Sequence, residues 1–302
     1  MRYSVCIATF RRPEGLTKLL ESLEAQILPE GAELEVIVVD NDPPTAAPVV
    51  DAYRQKSKHV VLNGEQSAPN ISLTRNASVA LATGDWVWFV DDDEWVEPDC
   101  LMQLVAAIDS SNADVAFGDV RPEFESPVPH WIETSTIFAR RTPTDFAESV
   151  ADRTGNTLVR RSILTSHSGP FAEELGLSGG EDSDLFDRVR FEGHRLVETS
   201  KAVAWESVPE DRANWPWMVE RWRRLGRLYS ERTLRSAGGA VTDVGVMAMF
   251  GKAVAQTAAY GALSVVSWPK LETRKRFQER FHLNVGKLSA LTGGSIKSPW
   301  SS

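Results

Sequence analysis

Trp86-Val87-Trp88-Phe89-Val90-Asp91-Asp92-Asp93-Glu94 is an apolar run that leads straight into four consecutive carboxylates. The apolar part reads as a β-strand and the acidic part as the turn that ends it. Four adjacent carboxylates repel one another, and a bound cation relieves that cost. Hard oxygen ligands suit Mg2+ or Mn2+, and Mg2+ favours one or two carboxylates together with substrate phosphates. A solvated acidic turn is the plain alternative. The position of the run, at the carboxyl end of a strand, weighs against it.

On either side of this stretch the chain alternates. Tyr3 to Thr9 is a short β-branched run, followed by Pro13 and by Leu16, Leu19, Leu20 and Leu23 at helical spacing up to Gln26. Glu35 to Asp40 is a second strand, Val49 to Lys56 a helix and His59 to Leu62 a short strand. Asn70 is placed to cap a helix over Ile71 to Leu81. After the acidic turn, a helix runs from Pro98 to Ile108 and a strand from Asp114 to Phe117. Strands and helices alternating at this pitch imply βαβ units, hence an α/β fold with a mostly parallel central sheet flanked by helices. Such sheets bind ligands beyond the carboxyl ends of their strands. Thr9-Phe10-Arg11-Arg12, Asp40-Asn41 and Asp91-Asp92-Asp93 all collect at that rim.

Residues 122–155 break the rhythm with Pro122, Pro127, Pro129 and Pro143, and read as an irregular excursion or lid over the sheet. Asn156 to Leu164 is expected to be an edge strand. Glu181 to Glu192 is helical, Leu196–Thr199 and Ala202–Trp205 are two extended runs, and Trp215 to about Leu291 is all helix.

Gly179-Gly180-Glu181-Asp182-Ser183-Asp184 opens the helix at 181. Glycines admit close approach of another molecule. The helix dipole is expected to keep Asp182 ionised, and an ionised carboxylate in a cleft can take the proton of a hydroxyl. Capping is the alternative role for both acids. At the first rim cluster, Asp40 could accept from a pyrimidine edge, Phe10 could stack on the ring, and Arg12 could meet phosphate. Arg75-Asn76 offers another planar fork. No GxGxxG and no P-loop is present, so a phosphate cradle of those kinds is not written here.

Taken in order, Thr9-Phe10-Arg11-Arg12-Pro13, Val38-Val39-Asp40-Asn41, Leu73-Thr74-Arg75-Asn76-Ala77, Phe89-Val90-Asp91-Asp92-Asp93-Glu94 and Gly180-Glu181-Asp182-Ser183-Asp184-Leu185 resemble the family 2 glycosyltransferases of GT-A fold. Within them the likeness is to the bacterial exopolysaccharide branch typified by the succinoglycan glucosyltransferases, and it spans residues 1–212. The resemblance implies that Thr9, Phe10, Arg12, Asp40 and Arg75 hold the base and ribose of a nucleoside diphosphate sugar, usually uridine. Asp91 and Asp92 belong to the same donor site, with Asp91 at the ribose or the phosphates. Asp93 would ligate Mn2+ or Mg2+ in the DxD manner. Asp182 would be the general base of a single, inverting displacement, with Glu181, Trp215 and Trp217 towards the acceptor. His194 and Glu206 are the candidates for a third metal ligand. The QxxRW motif of processive synthases is absent, although Glu220-Arg221-Trp222 echoes its end, so one sugar per acceptor is expected. The implied donor is UDP-glucose and the implied acceptor a lipid-linked saccharide.

Composition bounds these readings. At 302 residues, with 42% hydrophobic and 25% charged, the chain is long enough for one α/β core plus an appendage, and wholesale disorder is excluded. Lys+Arg 33 against Asp+Glu 42 leaves a net charge of -9, a poor match to nucleic acid. Two cysteines cannot build a disulfide framework. The N-terminus carries no signal-peptide apolar core, so a cytoplasmic location is expected. The expected division is a catalytic domain over 1–212 and a helical region over 213–302. In that region Val244 to Pro269 carries Lys252 as its only charge. That stretch suits a packed helix, a membrane-surface helix or a diluted span. Trp215, Trp217 and Trp222 lie among Arg221, Arg223, Arg224 and Arg227, and Arg274-Lys275-Arg276 precedes Phe277. Basic and aromatic helices of this kind point to peripheral contact with the inner face of the cytoplasmic membrane, or to an amphipathic packing face. A nucleotidyltransferase, a haloacid-dehalogenase-type phosphatase and a non-catalytic nucleotide- or carbohydrate-binding protein are the rival readings. The first lacks its Gly-rich N-terminal signature, and the second fails at Trp95. The third does not explain Glu181-Asp182.

Overall fold

A computed structural model describes residues 1–292. Its contacts divide the chain into two units. Of the described residues, one unit holds Met1–Arg121 with Arg141–Ser207, and the other holds Pro122–Arg140 with residues 208–292.

The first unit begins β1 (Arg2–Thr9), α1 (Pro13–Glu24), β2 (Glu33–Asp40), α2 (Ala47–Lys56), β3 (Val60–Glu65), α3 (Ile71–Leu81) and β4 (Trp86–Phe89). The spacing-derived helix over 71–81 is met at both ends. Asn70 caps it, its side chain accepting from the Leu73 amide at 3.1 Å. Then come β5 (Glu94–Val96), α4 (Cys100–Ser111) and β6 (Val115–Phe124). A short helix, α5 (His130–Glu133), lies in the second unit, and the chain returns through β7 (Thr157–Arg160), α6 (Arg161–Thr165), α7 (Glu181–Phe191) and β8 (Leu196–Val208). The strand order is β3-β2-β1-β4-β7-β6-β8-β5.

β1 pairs in parallel with β2, from Arg2 opposite Glu33 to Thr9 opposite Asp40, and with β4, from Tyr3 opposite Trp86 to Cys6 opposite Phe89. The chain therefore leaves β1, β2 and β4 at one edge, carrying Thr9–Arg12, Asp40–Asp42 and Asp91–Asp93 out together. Both faces of this half of the sheet are buried. Val5, Ile7, Val36, Val38, Trp86 and Trp88 join one core with the leucines of α1 and with Leu101 and Leu104 of α4. Their alternates Cys6, Ile37, Val39, Val87 and Phe89 join another with Ile163 of α6 and with Leu185, Phe186 and Val189 of α7. That is why these strands read as continuous apolar runs. Each fully buried leucine of α1 contributes about 1.5–3 kcal/mol.

Two expectations are corrected here. The strand within 156–164 is not an edge. β7 sits between β4 and β6, antiparallel to both, and it stops at Arg160, where α6 begins. Its Thr157, Leu158 and Val159 are all buried, as an interior strand requires. The two runs over 196–205 form one strand, β8, whose outer part pairs antiparallel with β5.

In the second unit three long helices follow, α8 (Trp215–Ser236), α9 (Val244–Val266) and α10 (Leu271–Ser289). α8 and α10 cross at a glycine from each. A Cβ on Gly226 would strike the Leu283 carbonyl, and one on Gly286 would strike the Arg223 carbonyl. The start of the excursion belongs to this unit: Phe124, Val128, Trp131, Ile132 and Phe138 share a cluster with Val208, Met218 and Trp222. Among the described residues no helix is long and apolar enough to cross a membrane.

Alanine exceeds glycine in helix propensity by about 1 kcal/mol. Gly286→Ala should nonetheless lower the melting temperature measured by circular dichroism, because the new methyl group has no room at the crossing. A raised melting temperature would show that the helices do not approach as described.

Candidate active site at the sheet rim

Asp92 ties the first rim loop to the acidic turn. Its Oδ2 accepts from the Thr9 hydroxyl at 2.9 Å and from the Phe10 amide at 3.1 Å, and its Oδ1 accepts from Arg12 Nη1 at 2.7 Å. The same Arg12 nitrogen reaches Asp93 Oδ2 at 2.9 Å. Asp92 is only 5% exposed. Burial pushes its carboxyl up to about 6, against the pull of Arg12 and with the push of Asp93. Thr9 and Asp92, both expected to touch the donor, are thus engaged with each other. Asp40 is likewise turned into its own loop, Oδ1 accepting from the Asp42 amide at 2.9 Å and Oδ2 from the Ala46 amide at 2.7 Å. Asn41 continues this work: its side chain donates to Gln66 and Ala68 carbonyls and accepts from the Asn70 amide. Phe10 remains partly open, with the Arg11 guanidinium 4.9 Å from its ring centre.

Arg75 is the second tie. α3 delivers its guanidinium, 8% exposed, between two acidic elements. Nη2 donates to Asp91 Oδ1 at 3.1 Å, and Nη1 donates to Glu181 Oε1. The neighbouring Asn76 clasps the backbone of Phe171, donating to its carbonyl and accepting from its amide, each at 2.9 Å. The planar fork that Arg75-Asn76 was expected to offer the donor is turned inward, Arg75 meeting the acidic turn and Glu181, and Asn76 meeting Phe171.

α7 starts after Gly179 and Gly180, both at φ 91°, in the left-handed region that glycine enters without strain. This turn swings Glu181 inward, to 5% exposure, and leaves Asp182 partly exposed. Glu181, expected near the acceptor, is instead a buried partner of Arg75, and its Oε2 has no hydrogen-bond partner. Asp182 accepts from the Ser183 amide at 2.8 Å. The expectation that the helix terminus keeps Asp182 readily ionised is overturned. Burial and the charge of Glu181 push its carboxyl up to about 7, Arg75 only partly offsetting them.

The remaining candidates are dispersed. His194 Nδ1 lies 3.3 Å from Asp114, which precedes β6. Val115 stands opposite Val159, and Val159 opposite Val87, so Asp114 is at the amino end of β4, across the sheet from Asp91. Glu206 of β8 stands opposite Glu94 of β5, whose Oε2 accepts from the Asp91 amide at 3.2 Å. Among the described residues no three His, Cys, Asp or Glu side chains group as metal ligands. Trp215 and Trp217 belong to the other unit, where protein takes their faces. Trp217 stacks on Phe138 at 6.0 Å, and Trp215 packs against Trp131 and Trp222 with Lys275 over its ring at 3.4 Å. Phe171 and Asp152 were not foreseen. Phe171 lies under Arg75, and Asp152 adds a weaker push on Asp182. Neither sits in a motif, and only folding brings them to the site.

The model of Glycosyl transferase family 2 matches residues 4–167. The chain is also 31% identical, over 97% of its length and 94% of the relative, to the succinoglycan biosynthesis protein ExoM of Rhizobium meliloti. The chain belongs to glycosyl transferase family 2. It is therefore an enzyme, a glycosyltransferase, and the rival readings are set aside. Solved structures agree on the GT-A fold. The Pyrobaculum calidifontis mannosyltransferase PcManGT, in complex with GDP-Man and Mn2+, superposes with a TM-score of 0.69 at 16% identity over 97% of this chain and 88% of that one. S. aureus TarS 1-349, in complex with UDP-GlcNAc, gives 0.56 at 19% identity over 97% and 92%.

Removing one partner of a buried ion pair leaves the other charge desolvated, at a cost of about 3–5 kcal/mol. Arg75→Met should accordingly lower the urea midpoint well beyond Arg75→Lys, which keeps the charge but not the fork. Equal midpoints for the two variants and the parent would mean that Arg75 does not join these elements.

Proposed function

We propose that the rim binds a nucleoside diphosphate sugar, UDP-glucose first among candidates, and that Asp182 takes the proton of the acceptor hydroxyl as it attacks the anomeric carbon. The observation that carries this reading is the Arg75 fork, which holds the acidic turn and the helix bearing Asp182 on one guanidinium. A single inverting displacement needs both at once: a place for the diphosphate and a base on the acceptor's side.

In this reading Phe10 and Arg12 face the nucleotide directly, while Thr9, Asp40 and Asp92 shape the loops that carry them. Asp93, with Asp91 beside it, fits a hard divalent ion such as Mn2+ or Mg2+. The set offers carboxylate oxygen with few protein ligands, the case in which substrate phosphates complete the shell. Such an ion, when bound, would stabilise the charge on the departing diphosphate. Arg75 orients Asp91 through its hydrogen bond, and the raised proton affinity of Asp182 suits a base working near neutral pH. We assign both roles to residues 1–212. The helices from 213 onward we read as resting on the inner face of the cytoplasmic membrane, where a lipid-linked saccharide would be met. This is supported by the exposed Val254, Val265, Val266 and Trp268 beside Lys270 and Arg274.

Calorimetric titration tests the donor site. UDP should bind the purified chain in the presence of Mn2+, and Asp93→Ala should weaken that binding; metal-independent binding that ignores the substitution would move the ion elsewhere. Asp182→Asn should keep UDP binding and lose transfer by about 10²–10⁴-fold. The pH profile gives a separate check. Because the ionised form of Asp182 is the base, the rate should rise with pH up to about 7 and level off above. A rate that is flat or falls over that range would exclude Asp182 as the base.

A further inference from the structure

α8, α9 and α10 enclose a cleft of about 400 Å3 within the second unit. Its lining includes Lys252 from α9 and Arg280 and Lys287 from α10, together with Tyr229, Gln256 and Asn284, and it contains no carboxylate. Three cations facing one space repel one another unless an anion joins them. Among the described residues none of the three has an ion-pair partner; Lys287 instead lies 4.9 Å from the ring centre of Tyr229. Its ammonium is held below the ordinary lysine range by burial and by the charges of Lys252 and Arg280.

A second observation concerns Asn284. It is 2% exposed, its Nδ2 donates to the Arg280 carbonyl at 2.7 Å, and its Oδ1 has no donor. A buried acceptor left unpaired is destabilising. A ligand that brings a hydroxyl beside its negative charge would satisfy the amide oxygen and the three cations together.

We propose that this cleft binds a phosphate group that carries a neighbouring hydroxyl, as in a glycerophosphate headgroup or a free polyol phosphate. The two sources share their recognition chemistry. The exposed apolar residues of the same helix, among them Val244, Met247 and Val254, favour a phosphate presented at a lipid surface. Nothing in this depends on the donor site, which lies in the other unit and is read out separately by UDP titration.

The test uses the full chain with three probes: free sn-glycerol 3-phosphate, vesicles of phosphatidylglycerol, and vesicles of phosphatidylcholine. Lys252→Ala with Arg280→Ala empties two corners of the cleft from exposed positions, so folding should survive. Lys56→Ala with Arg235→Ala, both exposed and neither beside the apolar residues read as the membrane face, removes the same charge outside it. Binding to phosphatidylglycerol over phosphatidylcholine, weakened roughly tenfold or more by the cleft pair and much less by the control pair, would support the site and give a lipid source. Saturable binding of glycerol phosphate, lost in the cleft pair, would support it with a free ligand. Lys287→Gln should repeat either loss. The proposal is overturned if neither anionic probe binds, or if the cleft and control pairs are weakened equally.

Discussion

A guanidinium buried among carboxylates is costly to desolvate and repays that cost only through well-formed, charge-assisted hydrogen bonds. Arg75 occupies such a position, and the geometry of the site depends on it. Its α-carbon is fixed by α3, whose own start is fixed by the Asn70 cap. From there one nitrogen reaches the turn after β4 and the other reaches the first residue of α7. Residues 91 and 181 are ninety positions apart in sequence and approach from different elements. Without a cation between them, Asp91, Glu181 and Asp182 would repel one another in a poorly solvated recess. The arginine thus orders the rim and partly offsets the burial and the Glu181 charge that raise the Asp182 carboxyl.

The acidic turn is not one electrostatic object. Asp92 faces inward and acts as a fastener for Thr9, Phe10 and Arg12, while Glu94 returns to cap the Asp91 amide and starts the strand that pairs with β8. Two of the four carboxylates are therefore structural. The remaining two, Asp91 and Asp93, are each balanced by one arginine, Arg75 and Arg12 respectively. Arg12 is shared between Asp92 and Asp93, so a ligand that draws on Arg12 changes the field at Asp93 as well. In the proposed reading, coupling of this kind would let a nucleotide and a cation assist one another's binding through the same few side chains.

The fold was legible in the sequence where secondary structure is decided locally. Asn70 before an apolar-periodic stretch, Pro13 at a helix start, and apolar runs ending in polar clusters each carry their own physical cause. The shared rim followed from the parallel arrangement alone. What could not be read depends on neighbours distant in sequence. Asn156 to Leu164 reads as an edge strand, yet the interior place of Thr157–Arg160 is set by β4 and β6 on either side. Glu94 reads as the last of four acids, and only the pairing with β8 makes it a strand residue. Asp182 illustrates competing effects on one group: the helix dipole, worth about 0.3–1 kcal/mol near the surface, acts against burial and an adjacent carboxylate, and the latter prevail.

The tryptophans of the C-terminal part follow the same rule. Trp215, Trp217 and Trp222 among arginines have the composition of a sugar platform or a membrane face, and sequence offers no way to weigh either against packing. The structure supplies the missing partners from residues 124–138, a stretch rich in proline and isolated aromatics that has no periodicity of its own. Phe138 covers one tryptophan and Trp131 another. An irregular segment can hold aromatic side chains in a core only if another element brings a matching surface, and here that surface is α8. The excursion and the tryptophan helix explain each other: each leaves apolar area exposed alone, and together they bury it. The same pairing draws residues 122–140 out of the sheet-bearing unit, although they lie between two of its strands in sequence.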